Sequence, residues 1–343
     1  MRQSRGNSPK SQAIIPDISI VAPVYNEAAL TLRALVERVL AALETIVQSY
    51  EIVLVDDGSR NDAWGTICAL SRANPAVRGI RLARNFGQHA AIAAGLDHAS
   101  GRWVVVMDSD LQDRPEVIPD LYRKANEGYD VVFINRATRP ESLIYRLCAT
   151  IFYEALSFLA GQRFERRQGN FSIVRRPVVE AFRNVPDRDR FYGGKVRWLG
   201  FRHSSITVQH GERFAGKSVY NLRGRLRFAS HLIVSYSTRL LYTAIFLGLT
   251  LAVISLAMAI DIAVDKIMHP EHLVLGWASV MTAIFFTAGV TNVMLGLIGI
   301  YIGRLFEQTK NRPPYVVAQR AGMESLPTGE VEIPPHTTPG TTS

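Results

Sequence analysis

The sequence predicts an α/β fold: a mainly parallel, Rossmann-like sheet, then amphipathic juxtamembrane helices and two C-terminal transmembrane helices. Three observations predict it. Strand-length apolar runs alternate with segments of helical period from Ile18 to Asn135, polar clusters follow one strand after another, and two long uncharged stretches lie towards the C-terminus. Such alternation implies parallel strands covered on both faces, with ligands gathered at their carboxyl ends.

Taken in order, "ISIVAPV", "EIVLVDD", "VRGIRLA", "RWVVVMD" and "DVVFIN" are Val- and Ile-rich strands. Between them "EAALTLRALVERVLAALETIVQ", "DAWGTICALSRA" and "GQHAAIAAGLDHAS" have helical period. Tyr25-Asn26-Glu27 follows the first strand, Asp56-Asp57 the second, Arg84-Asn85 the third and Asp108-Ser109-Asp110 the fourth. Four strand ends therefore aim polar groups at one rim. Neither GxGxxG nor GxxxxGK[ST] occurs there, which disfavours the ordinary dinucleotide and P-loop arrangements. The Asp108-x-Asp110 pair, with Gln112 two residues on, offers hard oxygen donors suited to Mg²⁺ or Mn²⁺. Like charges repel, and a divalent cation with a diphosphate would complete the site.

Leu240 to Ile260 carries no charge, over about the length at which a helix crosses ~30 Å of hydrocarbon. Leu273 to Gly303 is again uncharged, with Trp277 and Tyr301 near its ends, where interfacial aromatics lie. The loop between them holds a single lysine, whereas Arg223, Arg225, Arg227 and Arg239 precede the first stretch and Arg304, Lys310 and Arg312 follow the second. The positive-inside rule then places both termini in the cytoplasm of a multi-pass inner- or plasma-membrane protein.

Composition narrows the classes further. Of 343 residues, 48% are apolar, enough for a sizeable core and too many for a disordered chain. The net charge of +9 is crowded into 213–239 and 304–320, beside the apolar stretches and without interleaved aromatics. That pattern suits anionic lipid and argues against a nucleic-acid partner. Cys68 and Cys148 stand far apart without ligand spacing, so neither a disulfide framework nor a zinc site is supported. Residues 1–17 lack a secretory h-region. The expected organisation is a disordered tail over 1–16, an α/β domain over 17–220, a juxtamembrane amphipathic helix over 221–238, spans over 239–264 and 273–303, and a cytoplasmic segment and tail over 304–343. Within the α/β domain a helix is expected over 141–160. Arg146 and Thr150 share one of its faces, and Leu143, Leu147, Ile151, Ala155 and Phe158 another, a pattern fit for the headgroup layer.

"SIVAPVYNE", "EIVLVDDGSRND", "LARNFGQHAAIAAGLDHASG" and "VVVMDSDLQDRPE" together resemble the inverting nucleotide-sugar glycosyltransferases of family two, which have a GT-A fold. "GERFAGKSVYNLRGRLRFA", the two apolar stretches and "GIYIGRLFEQTKNRPPYVV" narrow the resemblance to polyprenyl-phosphate glycosyltransferases, the group of dolichol-phosphate mannose synthase. It covers residues 17 to about 318.

The resemblance implies a nucleotide-diphosphate sugar donor, UDP- or GDP-linked, and a polyprenyl phosphate acceptor, in a homotetramer. Pro23, Tyr25, Glu27, Asp57, Arg84, Asn85 and Asp108 would hold the nucleotide sugar, and Asp108, Asp110 and Gln112 the metal. Arg136, Arg146, Thr150, Asn170, Arg213, Lys217 and Ser218 would surround the acceptor phosphate. Asp110, Arg136, Arg146, Arg213 and Lys217 would carry the catalysis, the basic residues 213 and 217 lying on a mobile loop. The sequence departs from the family at Gly169-Asn170-Phe171, where Gly-Asp-Phe is common, so an amide stands where a carboxylate could have served as base. A lipid phosphate acceptor is already largely ionised at neutral pH, its second pKa being about 6, and needs no strong base. Two other readings remain open. A processive polysaccharide synthase would carry Gln-x-x-Arg-Trp where this chain has Gly194-Lys195-Val196-Arg197-Trp198. A membrane-tethered nucleotide-sugar sensor would bind donor without turnover.

Overall fold

The structure, a computed structural model, describes residues 15–136, 154, 168–185, 191–208, 239–268, 276–310 and 312–323. The chain divides into two compact units, one of residues 1–139, 167–217 and 312–343, the other of 140–166 and 218–311. The expected helix over 141–160, apart from residue 154, the segment 221–238, and Arg146, Thr150, Arg213, Lys217 and Ser218 lie outside the described residues.

The first unit is a mixed sheet between two helical layers. Its strands are β1 (Ile18–Val24), β2 (Tyr50–Asp56), β3 (Val77–Leu82), β4 (Trp103–Val106), β5 (Val131–Arg136), β6 (Gln168–Arg175), β7 (His203–Val208) and β8 (Val317–Ala321). They are ordered β7-β5-β6-β4-β1-β2-β3-β8. Only β6 and β8 run against the rest. The five strands expected from sequence are β1 to β5. Their apolar residues fill both faces, as a sheet covered on two sides requires: β1 is buried throughout.

On one face lie α1 (Ala29–Glu44) and α2 (Ala63–Ala73), together with α4 (Ile118–Ala125). The α1 residues Leu32, Leu35, Val36, Val39 and Leu43 recur at three- and four-residue spacing and are buried, the apolar stripe of a core-facing helix. On the other face lie α3 (Gln88–His98), α5 (Arg176–Asn184) and α6 (Tyr192–Trp198). α3 buries Ala90, Ala91, Ile92, Ala94, Gly95 and Leu96. Small residues let it sit close on the sheet, and a side chain at Gly95 would strike Val21 of β1. α3 therefore rests directly over the central strand.

β8 was not expected from sequence. It pairs antiparallel with β3, Ile80 opposite Arg320 and Arg81 opposite Gln319. Just before it, Tyr315 is 1% exposed, and its hydroxyl donates to Asp97 Oδ2 at 2.6 Å. Arg183 of α5 pairs with the other oxygen of Asp97 at 3.4 Å and donates to the Leu96 and Ala99 carbonyls at the C-terminal end of α3. The end of α3 is thus tied to chain that lies beyond the apolar helices.

The second unit contributes α7 (Arg239–Met268) and α8 (Trp277–Thr309). The sequence predicts two spans. Among the described residues one window, Phe286–Gly303, with mean hydropathy 1.6, is long and apolar enough to cross a membrane; the apolar stretch described in α7, Gly248–Met258, is shorter. Both helices expose large apolar side chains, including Phe246, Leu249 and Leu256 on α7 and Phe286, Val293 and Ile300 on α8. Apolar exposure on that scale marks an interaction surface rather than a water-facing one.

Candidate functional site

The chain adds β2 and β3 on one side of β1, then crosses back to place β4 on the other. The sheet's switch point is therefore the β1–β4 boundary, where open α/β sheets leave a crevice at the strand ends. The two non-glycine residues with left-handed backbone among those described lie here: Asn26 after β1, at φ 56°, and Leu111 after β4, at φ 63°. Asparagine tolerates that region, but for leucine it is uncommon and costs about 1–2 kcal/mol. Strain of this kind clusters at functional sites.

After β1, Pro23 is buried within the strand, level with Val55 of β2. The β1–β4 ladder ends at Val21 and Val106, so the missing Pro23 N–H interrupts no pairing. Tyr25 follows, 43% exposed at the rim. The Asn26 N–H donates to Ser59 Oγ at 2.9 Å, its Oδ1 accepts from the Arg60 N–H, and Asn61 Nδ2 donates to the Glu27 carbonyl. These bonds join the loops after β1 and β2.

After β2, Asp57 is buried and ties down the segment before α3. It is 2% exposed, and its two oxygens accept from the Phe86 and Gly87 N–H groups at 2.7 and 2.9 Å. Burial raises its pKa, against the pull of those two N–H groups, and the neighbouring Asp56 adds to the rise. The folded protein then holds this proton more tightly than the unfolded chain does. Asp57 accordingly contributes stability in acid, below its unfolded pKa, and that contribution is lost as pH rises through the folded pKa. Asp57→Asn should lack this component, which urea unfolding of both proteins across an acid-to-neutral pH series would measure. Gly58, at φ 66°, lies under the next segment, where a Cβ would stand 2.5 Å from the Arg84 carbonyl carbon. Arg84 and Asn85 are exposed, with the Arg84 guanidinium 4.1 Å over the Phe86 ring.

After β4 the chain folds into a tight loop. Asp113, 4% exposed, accepts the Asp108 N–H on Oδ2 at 3.1 Å, and Asp110 Oδ1 accepts the Gln112 N–H at 3.1 Å. Left-handed Leu111 reverses the chain between Asp110 and Gln112. Gln88 Nε2 donates to Asp108 Oδ1 at 2.6 Å. Two carboxylates and a carboxamide within five residues are a hard-oxygen donor set. Among the described residues no group of three or more His, Cys, Asp or Glu side chains is placed to hold a metal. The donors fit an ion such as Mg²⁺ or Mn²⁺, which is commonly bound through one or two carboxylates plus water and substrate phosphate.

β6 changes the neighbourhood expected from sequence. It enters between β4 and β5, so Arg136, the last residue of β5, stands two strands from β4, about 10 Å at ordinary strand spacing. The antiparallel β4–β6 register pairs Val106 with Ser172, so Asn170, two residues nearer the start of β6, lies towards the edge of the sheet where β4 gives way to the acidic loop. The Ser172 hydroxyl donates to the Asn170 carbonyl and shares a 2.9 Å hydrogen bond with the Tyr192 hydroxyl. Tyr192 is wholly buried, and burial pushes its phenol pKa well up. Asn170 therefore rests on a neutral buried network. Arg197 and Trp198 end α6, with Arg197 5.4 Å over Phe133, a packing role. The sequence shows Asp113 as a third carboxylate of the acidic cluster, and the structure gives it the Asp108 N–H. Gln88 is the rim residue that sequence reasoning missed.

Residues 19–182 match glycosyl transferase family 2. An uncharacterized glycosyltransferase of Synechocystis is 36% identical over 91% of this chain and 98% of its own length. The undecaprenyl-phosphate 4-deoxy-4-formamido-L-arabinose transferase of Yersinia pestis is 34% identical over 90% of this chain and 95% of its own length. For the prophage-derived bactoprenol glucosyl transferase of Shigella flexneri the figures are 34%, 88% and 97%. Among solved structures, glucosyl-3-phosphoglycerate synthase of Mycobacterium tuberculosis, in complex with Mn²⁺, UDP and phosphoglyceric acid, aligns with TM-score 0.48 and 18% identity, covering 64% of this chain and 77% of that one. With relatives matched along nine-tenths of its length, and with its acidic loop at the switch point of a mainly parallel α/β sheet, the chain belongs to glycosyl transferase family 2.

Proposed function

We propose that the protein transfers a sugar, with inversion, from a nucleotide-diphosphate sugar to an undecaprenyl-type polyprenyl phosphate at the cytoplasmic face of the membrane. What supports the reading is strand order: Asp108, Asp110 and Gln112 follow β4 and Tyr25 and Glu27 follow β1, the two strands that flank the switch point, with Asn170 on β6 next to β4. Relatives named for transfer to undecaprenyl phosphate and bactoprenol match nearly the whole chain.

Asp108, Asp110 and Gln112 would hold Mg²⁺ or Mn²⁺, which when bound neutralises charge on the departing nucleoside diphosphate. Tyr25 and Glu27 stand where the nucleoside would lie, with Arg84 and Asn85 towards the donor. Pro23 and Asp57 shape that pocket from beneath, Asp57 by fixing the backbone at Phe86 and Gly87. An oxygen of the acceptor phosphate bonds to the anomeric carbon as the bond from that carbon to the diphosphate breaks, its electron pair leaving with the nucleoside diphosphate. No proton need be removed from an ionised phosphate. Asn170, on the strand next to β4, would offer an amide donor to the acceptor phosphate without a further negative charge. Arg136, Arg146, Thr150, Arg213, Lys217 and Ser218 supply donors and positive charge for the acceptor, so that two anions can approach. We place α7 and α8 across the membrane with both termini cytoplasmic and the segments 141–160 and 221–238, expected from sequence as amphipathic helices, at its surface. A homotetramer is the assembly we propose.

The test supplies purified full-length protein with UDP- and GDP-linked sugars, undecaprenyl phosphate and Mg²⁺ or Mn²⁺. A chelator-sensitive, organic-extractable glycolipid containing one sugar is expected. Polymer formed without added lipid phosphate would instead favour a processive synthase, and donor binding without product a sensor.

A further inference from the structure

The helix that rests over β1 begins at Gln88, and the Gln88 side-chain amide reaches Asp108 Oδ1 at 2.6 Å. Its lead-in is pinned on the opposite side of β1. Asp57, just after β2, accepts the Phe86 and Gly87 N–H groups, and Gly58 lies against the backbone of Arg84 and Asn85. Since the sheet runs β4-β1-β2, the segment 84–88 bridges the end of β1 and ties the loop after β2 to the acidic loop after β4. Two further constraints act on the same loop from within: Asp113 on the Asp108 N–H, and the left-handed turn at Leu111.

The donor on Asp108 is chemically specific. An amide N–H orients a carboxylate and leaves its full charge. A lysine there would orient it and also cancel the charge that attracts a cation, while an apolar side chain would remove this hydrogen bond from the carboxylate. We infer that Gln88 is a positioning residue for Asp108, setting the direction of its carboxylate while leaving its charge for a divalent ion. This inference rests on reading Asp108 and Asp110 as metal ligands. Partners that orient ligands in this way change metal affinity by about 10–100-fold when replaced. Gln88 is exposed, so its replacement leaves the core intact.

The experiment measures Mn²⁺ binding rather than turnover. Full-length protein in detergent, with UDP or GDP present, is titrated with Mn²⁺, and free ion is followed by electron paramagnetic resonance. Wild type, Gln88→Lys, Gln88→Met and the double variant Asp108→Asn/Asp110→Asn are compared, with thermal unfolding of each. The expected result is that Gln88→Lys and Gln88→Met bind Mn²⁺ about 10–100-fold more weakly, Lys the more so, at unchanged unfolding temperature. If wild type binds and both Gln88 variants bind equally tightly, the positioning role is overturned while the metal reading stands. If wild type binds no Mn²⁺, or the double variant binds as wild type does, the metal reading fails and the role of Gln88 fails with it.

Discussion

Replacing Asp108 and Asp110 together by asparagine should lower glycolipid formation by at least about 10³-fold while leaving the protein folded. Removing a single preorganised electrostatic contact to a transition state commonly costs about 10²–10³ in rate, and here the whole anchoring charge is removed. The folded state should tolerate the change because the hydrogen bonds that shape the loop survive it. The amide oxygen introduced at position 110 can still accept the Gln112 N–H, and the one introduced at position 108 can still accept from Gln88. The Asp113 carboxylate still receives the backbone N–H of residue 108. Incorporation of labelled sugar into lipid extract, beside thermal unfolding of the same preparations, would measure both halves of the expectation. Activity kept within tenfold of wild type would contradict it.

The second large effect concerns the segment beyond α8. Ending the chain at Asn311 should destroy the first unit, although every residue placed at the rim is retained. The truncation removes Tyr315 and Val317, exposed by 1% and 0%, whose burial contributes about 1.5–3 kcal/mol each. It also removes the hydrogen bond from Tyr315 to the Asp97 carboxylate, about 1.5–3 kcal/mol for a charged acceptor. Together these approach the ~5–15 kcal/mol net stability of a typical domain. The truncation further bares the edge of β3, an invitation to intermolecular strand pairing. Aggregation on size-exclusion chromatography is the expected readout. Tyr315→Phe isolates the hydroxyl and should lower thermal stability without aggregation. A truncated protein that stays monodisperse, with an unchanged unfolding temperature, would show that β8 is dispensable.

Much of this architecture was legible because short-range patterns encode it. β1 to β5 announce themselves as Val- and Ile-rich runs, and the polar residues after them mark the ligand edge of a parallel sheet. Other features depend on pairing between distant segments, which has no local signature. "QGNFSIVR" becomes β6 by filling the gap between β4 and β5, and that insertion puts a strand between Arg136 and β4 and lays Ser172 beside Val106. "VAQRA" becomes β8 only because the chain returns to β3 from beyond an apolar helix. At the rim, the chemistry of the side chains could be read but not their direction. Asp57 has the right type for a nucleoside contact, but nothing local announces that its oxygens also accept the Phe86 and Gly87 N–H groups. Gln88 carries no local signal, and its bond to Asp108 exists because α3 is seated over β1. The apolar helices were visible from length and composition, which say nothing of the residues between them.

The central claim is that the acidic loop after β4 anchors a divalent ion under the donor's diphosphate. Anomalous diffraction at the manganese edge, from crystals of the full chain grown with Mn²⁺ and a nucleoside diphosphate, tests it most directly. One strong peak is expected within coordination distance of carboxylate oxygens of Asp108 and Asp110 and of a diphosphate oxygen. A diphosphate bound at the β1–β4 crevice with no anomalous peak beside it, or a peak held by other residues, would contradict it.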